Sequence, residues 1–148
     1  MALDSELVNN RKSLDSLVED VAPELCELPG VGSVVAACVL TAWSHPGRVR
    51  SEAAFAALAG TCPIPASSGN TLRHRLNRGG GDRRLNRALT TVVIVRMRTH
   101  APPTRAYVAR RRAEGRTTKE IMRSLKRYIT RQLYRTLAAA HPVPATPP

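Results

Sequence analysis

Two serines precede a glycine in the run Pro65-Ala66-Ser67-Ser68-Gly69-Asn70. About ten residues later comes Gly79-Gly80-Gly81-Asp82-Arg83-Arg84-Leu85. A serine ahead of a glycine in a loop can present its hydroxyl beside backbone N–H donors, and the following arginines can neutralise a phosphodiester. Those are the parts a serine nucleophile attacking phosphorus needs. Taken alone, Ser-Ser-Gly is far more often a flexible linker. No histidine adjoins it in the chain, and His74 stands six residues beyond Ser68.

Leu28-Pro29-Gly30-Val31-Gly32 carries a second kind of chemistry. Its glycines allow a sharp turn, and the N–H groups they leave at the start of the next helix form an anion site. Gly30, Val31 and Gly32 are therefore candidate contacts to DNA phosphates in a helix-hairpin-helix, the alternative being a tight turn that packs two core helices. Cys26, Cys38 and Cys62 have no metal-ligand spacing, and reduced thiols of a cytosolic protein are the expected reading. His45, His100 and His141 make no i, i+4 pair, so no zinc site is expected. Tyr107, Tyr128 and Tyr134 could act as recombinase nucleophiles, but among Arg and Leu on helices they read better as half-buried packing. Tyr128 and Arg131, one turn apart, leave a stacked or phosphate-binding pair open.

The charge says what these groups face. The 148 residues hold 23 Lys and Arg against 11 Asp and Glu, a net of +12. Residues 1–70 carry four basic and eight acidic side chains, whereas residues 71–136 carry nineteen basic and three acidic ones. A field this one-sided repels itself unless a polyanion neutralises it. Arginine, which dominates, offers bidentate phosphate geometry. A nucleic acid is the expected partner. A membrane surface ranks below it, because the basic helices lack aromatic anchors. No apolar run approaches a membrane span and no secretory signal opens the chain.

The elements that must position these groups are helical. Residues 4–21 read as a helix with a partial apolar stripe of Leu7, Leu14, Leu17, Val18 and Val21. Pro23 suits the first turn of a helix to about Leu28. Ser33 can cap the next, through Trp43, and Ser51 opens one that ends at Gly60. Residues 61–71 read as loop, and the alternation of Leu72, His74 and Leu76 with Arg73, Arg75 and Asn77 as a short strand or extended arm. Asp82 caps a helix to about Thr99, ended by Pro102-Pro103. Residues 104–114 form another. Thr117 or Thr118, with Glu120 as in a capping box, opens a final helix to about Ala140. The fold class is all-α: a compact helical domain with a helix-hairpin-helix-like element, a basic extended arm and a long C-terminal helix. The expected organisation is an N-terminal helix over 1–22, a coiled-coil remnant; a domain over 23–140; and a disordered Pro-rich tail over 141–148.

The order of the motifs adds a further reading. Leu-Pro-Gly-Val-Gly is followed by Ser51-x-x-x-Phe55-x-x-x-Ala59-Gly60, by Pro65-x-x-Ser68-Gly69, and by an Arg-rich arm to Gly-Gly-Asp-Arg-Arg-Leu-x-x-Ala-Leu. Over roughly residues 23–138 this resembles the C-terminal domain of IS110/IS116/IS902 family transposases. The resemblance implies a serine that attacks DNA to form a covalent protein–DNA intermediate. It also implies an upstream RuvC-like domain whose four acidic residues bind divalent metal, and a structured guide RNA that selects the DNA. By motif the nucleophile is Ser68, with Ser67 the alternative. Arg73, Arg75, Arg78, Arg83, Arg84 and Arg87 are the expected DNA contacts. Asp4, Glu6, Asp15, Glu19 and Asp20 crowd one short helix and read as a solvated face, not as that metal site. No cofactor is expected on this chain, and Mg2+ only with a RuvC-like domain. The expectation is a transposase domain of a cytoplasmic, nucleoid-associated protein, acting as a homo-oligomer on DNA and inactive without its metal half. Two alternatives stay open: a non-catalytic helix-hairpin-helix DNA-binding module and a structured-RNA-binding remnant.

Overall fold

The computed structural model describes residues 1–65, 74–76, 81–99 and 101–144. Among them seven helices form: α1 (Ala2–Val21), α2 (Pro23–Cys26), α3 (Ser33–Trp43), α4 (Glu52–Leu58), α5 (Arg83–Arg98), α6 (Pro102–Ala113) and α7 (Thr118–Ala140). Two three-residue strands, β1 (Pro63–Pro65) and β2 (His74–Leu76), pair antiparallel with Ile64 opposite Arg75. The architecture is all-α apart from this ladder. Prolines cannot donate a backbone hydrogen bond, so in β1 only Ile64 can, which suits an isolated edge pair.

The two long core helices owe their positions to caps and periodicity. At the start of α5, Asp82 accepts hydrogen bonds from the backbone N–H groups of Arg84 and Leu85. Leu85, Leu89, Val92 and Val93 then fall on one face and are fully buried. In α7 the capping box is complete: Thr117 accepts from the Glu120 N–H, and the Glu120 carboxylate accepts from the Thr117 N–H at 2.8 Å. Ile121, Leu125, Ile129, Leu133 and Leu137, spaced by four, bury that helix against α2, α4 and α5. Each such side chain contributes roughly 1.5–3 kcal/mol of transfer free energy. Phe55 of α4 and Leu25 of α2 complete the centre.

Several boundaries differ from the sequence reading, each for a physical reason. Gly32, not Ser33, is the N-cap of α3, and no side chain caps it. The helix from Pro23 closes at Cys26, because the chain must turn through Gly30 at φ +78°. Pro102 and Pro103 do not end α5 but occupy the first turn of α6, where a missing N–H costs nothing. The expected disorder of 141–148 does not extend to its first residue. His141 packs its ring against Trp43, with centroids 5.5 Å apart, and pairs with Glu24 at 3.2 Å. Along α1 only Val18 is buried, and Leu7, Leu17 and Val21 stand exposed.

Candidate nucleic-acid interface

The segment from α4 to α5 is fixed at both of its described ends. Before β1, Thr61 is buried and shares a hydrogen bond with Thr130 of α7, oxygen to oxygen 3.1 Å. At the far end, the Asp82 N–H donates to the Leu58 carbonyl at 2.7 Å. Gly81 lies so close to α4 that a Cβ there would sit 2.5 Å from the Leu58 oxygen and 2.9 Å from the Gly60 nitrogen. Only glycine allows this approach. Asn86 then ties three elements together: its Nδ2 donates to the Ala59 carbonyl at 2.7 Å and its Oδ1 accepts from Lys126 at 2.9 Å.

These ties set α5 beside α7 and open a groove of about 640 Å³ between them. Arg83 and Arg87 line it from α5; Lys119, Arg123 and Lys126 line it from α7. Asp82 is the one carboxylate among the lining residues, and its oxygen is occupied by the first N–H groups of α5. Other acids of the basic half serve elsewhere. Glu114 pairs with Arg110 and Arg111, and Glu120 with Arg116. Glu52 of α4 takes Arg135 and Arg131, and the hydrogen bond from Arg135 holds its carboxyl below the usual range. Among the described residues Arg83, Arg87, Lys119 and Arg123 form no ion pair with a carboxylate, which suits these four to a polyanion.

Of the expected site residues, the structure brings Arg83 and Arg87 to this groove. Arg84 is exposed on α5 outside it. Ser67, Ser68, Arg73 and Arg78 lie outside the described residues, and of Arg75 only the backbone, in β2, is described. The turn at Gly30, Val31 and Gly32 stands apart. Gly30 is pressed on the middle of α5, where a Cβ would meet the Val92 carbonyl at 3.3 Å, and Val31 is buried. Both therefore serve packing. Gly32 is exposed, with open space around it, at the start of α3. Sequence reasoning did not single out Lys119, Arg123 and Lys126. Their spacing of four and three on a helix already placed them on one face.

Among the described residues no three His, Cys, Asp or Glu side chains gather as a metal site, and no helix is long and apolar enough to cross a membrane. Tyr134 packs on Phe55 and donates to the Val49 carbonyl at 3.3 Å, as a half-buried structural ring. Tyr128 instead is 61% exposed, contrary to the packing expected of it.

A family model described as Transposase IS116/IS110/IS902 matches residues 22–109. The insertion element IS110 uncharacterized 43.6 kDa protein of Streptomyces coelicolor is 32% identical over 111 residues, covering 74% of this chain and 27% of that protein. The insertion element IS900 uncharacterized 42 kDa protein of Mycobacterium paratuberculosis is 30% identical over 156 aligned positions, covering 99% of this chain and 38% of its own length. The 148-residue chain thus spans well under half the length of both relatives. With more than half of its residues inside the family match, the chain belongs to the IS116/IS110/IS902 family of transposases.

Proposed function

We propose that this chain is the DNA-gripping, serine-bearing domain of a transposase, acting in the strand exchange of an insertion element. The observation that carries the reading is the groove between α5 and α7: Arg83, Arg87, Lys119 and Arg123 converge beside the anchored end, at Gly81, of the segment that holds Ser67 and Ser68. A phosphodiester backbone laid along these cations would pass Gly81, the described end of that segment. The Ser68 Oγ would then attack phosphorus, forming a phosphoserine ester as the P–O bond to the leaving deoxyribose oxygen breaks. The serine proton passes to solvent or a base, and the leaving oxygen gains one. The arginines stabilise the charge that gathers on the non-bridging oxygens. The start of α3 at the exposed Gly32 gives a second phosphate contact of helix-hairpin-helix type.

Magnesium, a guide RNA and a second copy of the chain belong to the same reading. The described residues form no cluster to hold the metal, and the step above takes nothing from it. Leu7, Leu17 and Val21, exposed along α1, are the surface for self-association, which sedimentation equilibrium reads directly.

The test is a suicide DNA substrate incubated with the chain together with a separately supplied RuvC-like domain. A covalent adduct that disappears in Ser68→Ala and persists in Ser67→Ala is the expected result. Binding without any adduct reduces the domain to a non-catalytic DNA module, and a strong preference for folded RNA over duplex makes it an RNA-binding one.

A further inference from the structure

A second cavity, of about 760 Å³, opens between α6 and α7 on another part of the surface. At its floor is Arg96, only 5% exposed although it lies in the basic half of the chain. Its Nε donates to the Pro29 carbonyl at 2.6 Å, so the turn that presses Gly30 onto α5 also aims this guanidinium. Its Nη2 is buried and has no hydrogen-bond partner among the described residues. Gln132 lines the same cavity and buries an Oε1 that likewise has none. Buried orphans of this kind are rare, because each forgoes a hydrogen bond it had in water. Burial works against the charged form of Arg96, and the nearby Tyr128 partly offsets that.

The rest of the lining has a consistent chemistry. Arg127 and Arg131 stand at the wall, no Asp or Glu among the described residues lines the cavity, and Tyr128 is 61% exposed. Arg131 has Glu52 only at 4.0 Å. The other ring, Tyr107, already has the Arg110 guanidinium 5.5 Å from its centroid, which leaves Tyr128 as the open face. On α7, residues 124, 127, 128, 131 and 132 recur at helical spacing and so look into one space.

We infer that this cavity takes one nucleotide of a nucleic-acid strand: its phosphate on Arg96 and Arg127, its base on the Tyr128 ring, and a ligand hydroxyl or amino group on Gln132 Oε1. An anion alone answers the arginines but leaves the acceptor orphaned and the ring bare. The side chains of an acidic peptide offer Tyr128 no aromatic face to stack on. A nucleotide carries acceptor, donor and π-face together, and the cavity lies in the size range of small-ligand sites. Because Nη2 has no solvent contact, the phosphate reaches it through a side-chain adjustment at the floor, a common event on binding. The inference uses no residue of the serine segment, so it stands or falls independently of the covalent chemistry proposed above.

The experiment titrates the 148-residue chain with 5′-phosphorylated trideoxythymidylate, its ribouridylate counterpart, inorganic phosphate and hexaglutamate, following the arginine Nε–H signals by NMR. The trinucleotides should shift the Arg96 signal and bind more tightly than phosphate or hexaglutamate. Tyr128→Ala should weaken them about fivefold or more, with Arg127→Gln acting in the same direction. Both positions are exposed, so the melting temperature should hold. A tighter ribonucleotide assigns the strand to RNA; an equal or tighter deoxynucleotide assigns it to DNA. Hexaglutamate or phosphate binding as tightly as the trinucleotides, or unchanged affinity in Tyr128→Ala, overturns the inference.

Discussion

Replacing Arg87 and Arg123 together with glutamine removes one groove cation from α5 and one from α7 while leaving the Asn86–Lys126 tie intact. If Arg83, Arg87, Lys119 and Arg123 each meet one phosphate, counterion release gives a slope of log affinity against log salt near −3.6 for duplex DNA. Affinity would then fall about 150-fold between 50 and 200 mM salt, using roughly −0.9 per phosphate. The double variant should keep a slope of about −1.8 and lose only about 12-fold over the same range. Fluorescence anisotropy of a labelled 20-base-pair duplex across that range measures both lines. Arg87 is exposed and Arg123 half-buried at the groove, so thermal stability should be unchanged. Lys12→Gln, on the acidic α1, serves as the control and should leave the slope where it was. A double variant with the wild-type slope refutes the groove as the phosphate track, and so does a Lys12→Gln effect of equal size.

Two further outcomes test the frame that holds the groove. Gly81→Ala drives a methyl group to 2.5 Å from the Leu58 carbonyl oxygen, so either the start of α5 or the end of α4 must shift. Urea denaturation should show a loss of about 1–3 kcal/mol, and a change within about 0.5 kcal/mol means the approach is not sterically forced. Thr117→Ala removes the α7 cap and should cost about 1 kcal/mol near neutral pH. The hydrogen bonds from the Thr117 N–H and hydroxyl hold the Glu120 carboxyl below its ordinary value of 4.5. A depressed carboxylate contributes stability above its unfolded-state pKa and loses it as pH falls through the folded one. The Thr117→Ala penalty should therefore shrink below about pH 4.5; a penalty that grows in acid contradicts the capping box.

Local features were legible where the physics is local. Asp82, Ser51 and Thr117 were readable as caps because a short polar side chain satisfies N–H groups two or three residues away, and the structure uses all three. The one apolar stripe named from the sequence, on residues 4–21, buries only Val18, whereas the faces from Leu85 to Val93 and from Ile121 to Leu137 form the core. Ser33 and Pro102 misled for the complementary reason. Either residue can stand just outside a helix or just inside it, and the choice falls to what the neighbouring turn packs against.

The site divides along the same line. Sequence alone determined the sign and segregation of the charge, the all-α class, the family, and Arg83 and Arg87 as members of a basic face. Only the tertiary structure decided that Lys119 and Arg123, more than thirty residues further on, stand across from them, because Gly81, Asn86 and Thr130 fix α5 against α7 through contacts distant in the chain. Likewise nothing in the run Val95-Arg96-Met97-Arg98 marks Arg96 as the residue that turns inward. The Pro29 carbonyl, 67 positions earlier, meets it there. A guanidinium is buried when folding brings an acceptor to it, and local sequence does not specify where a distant acceptor will arrive.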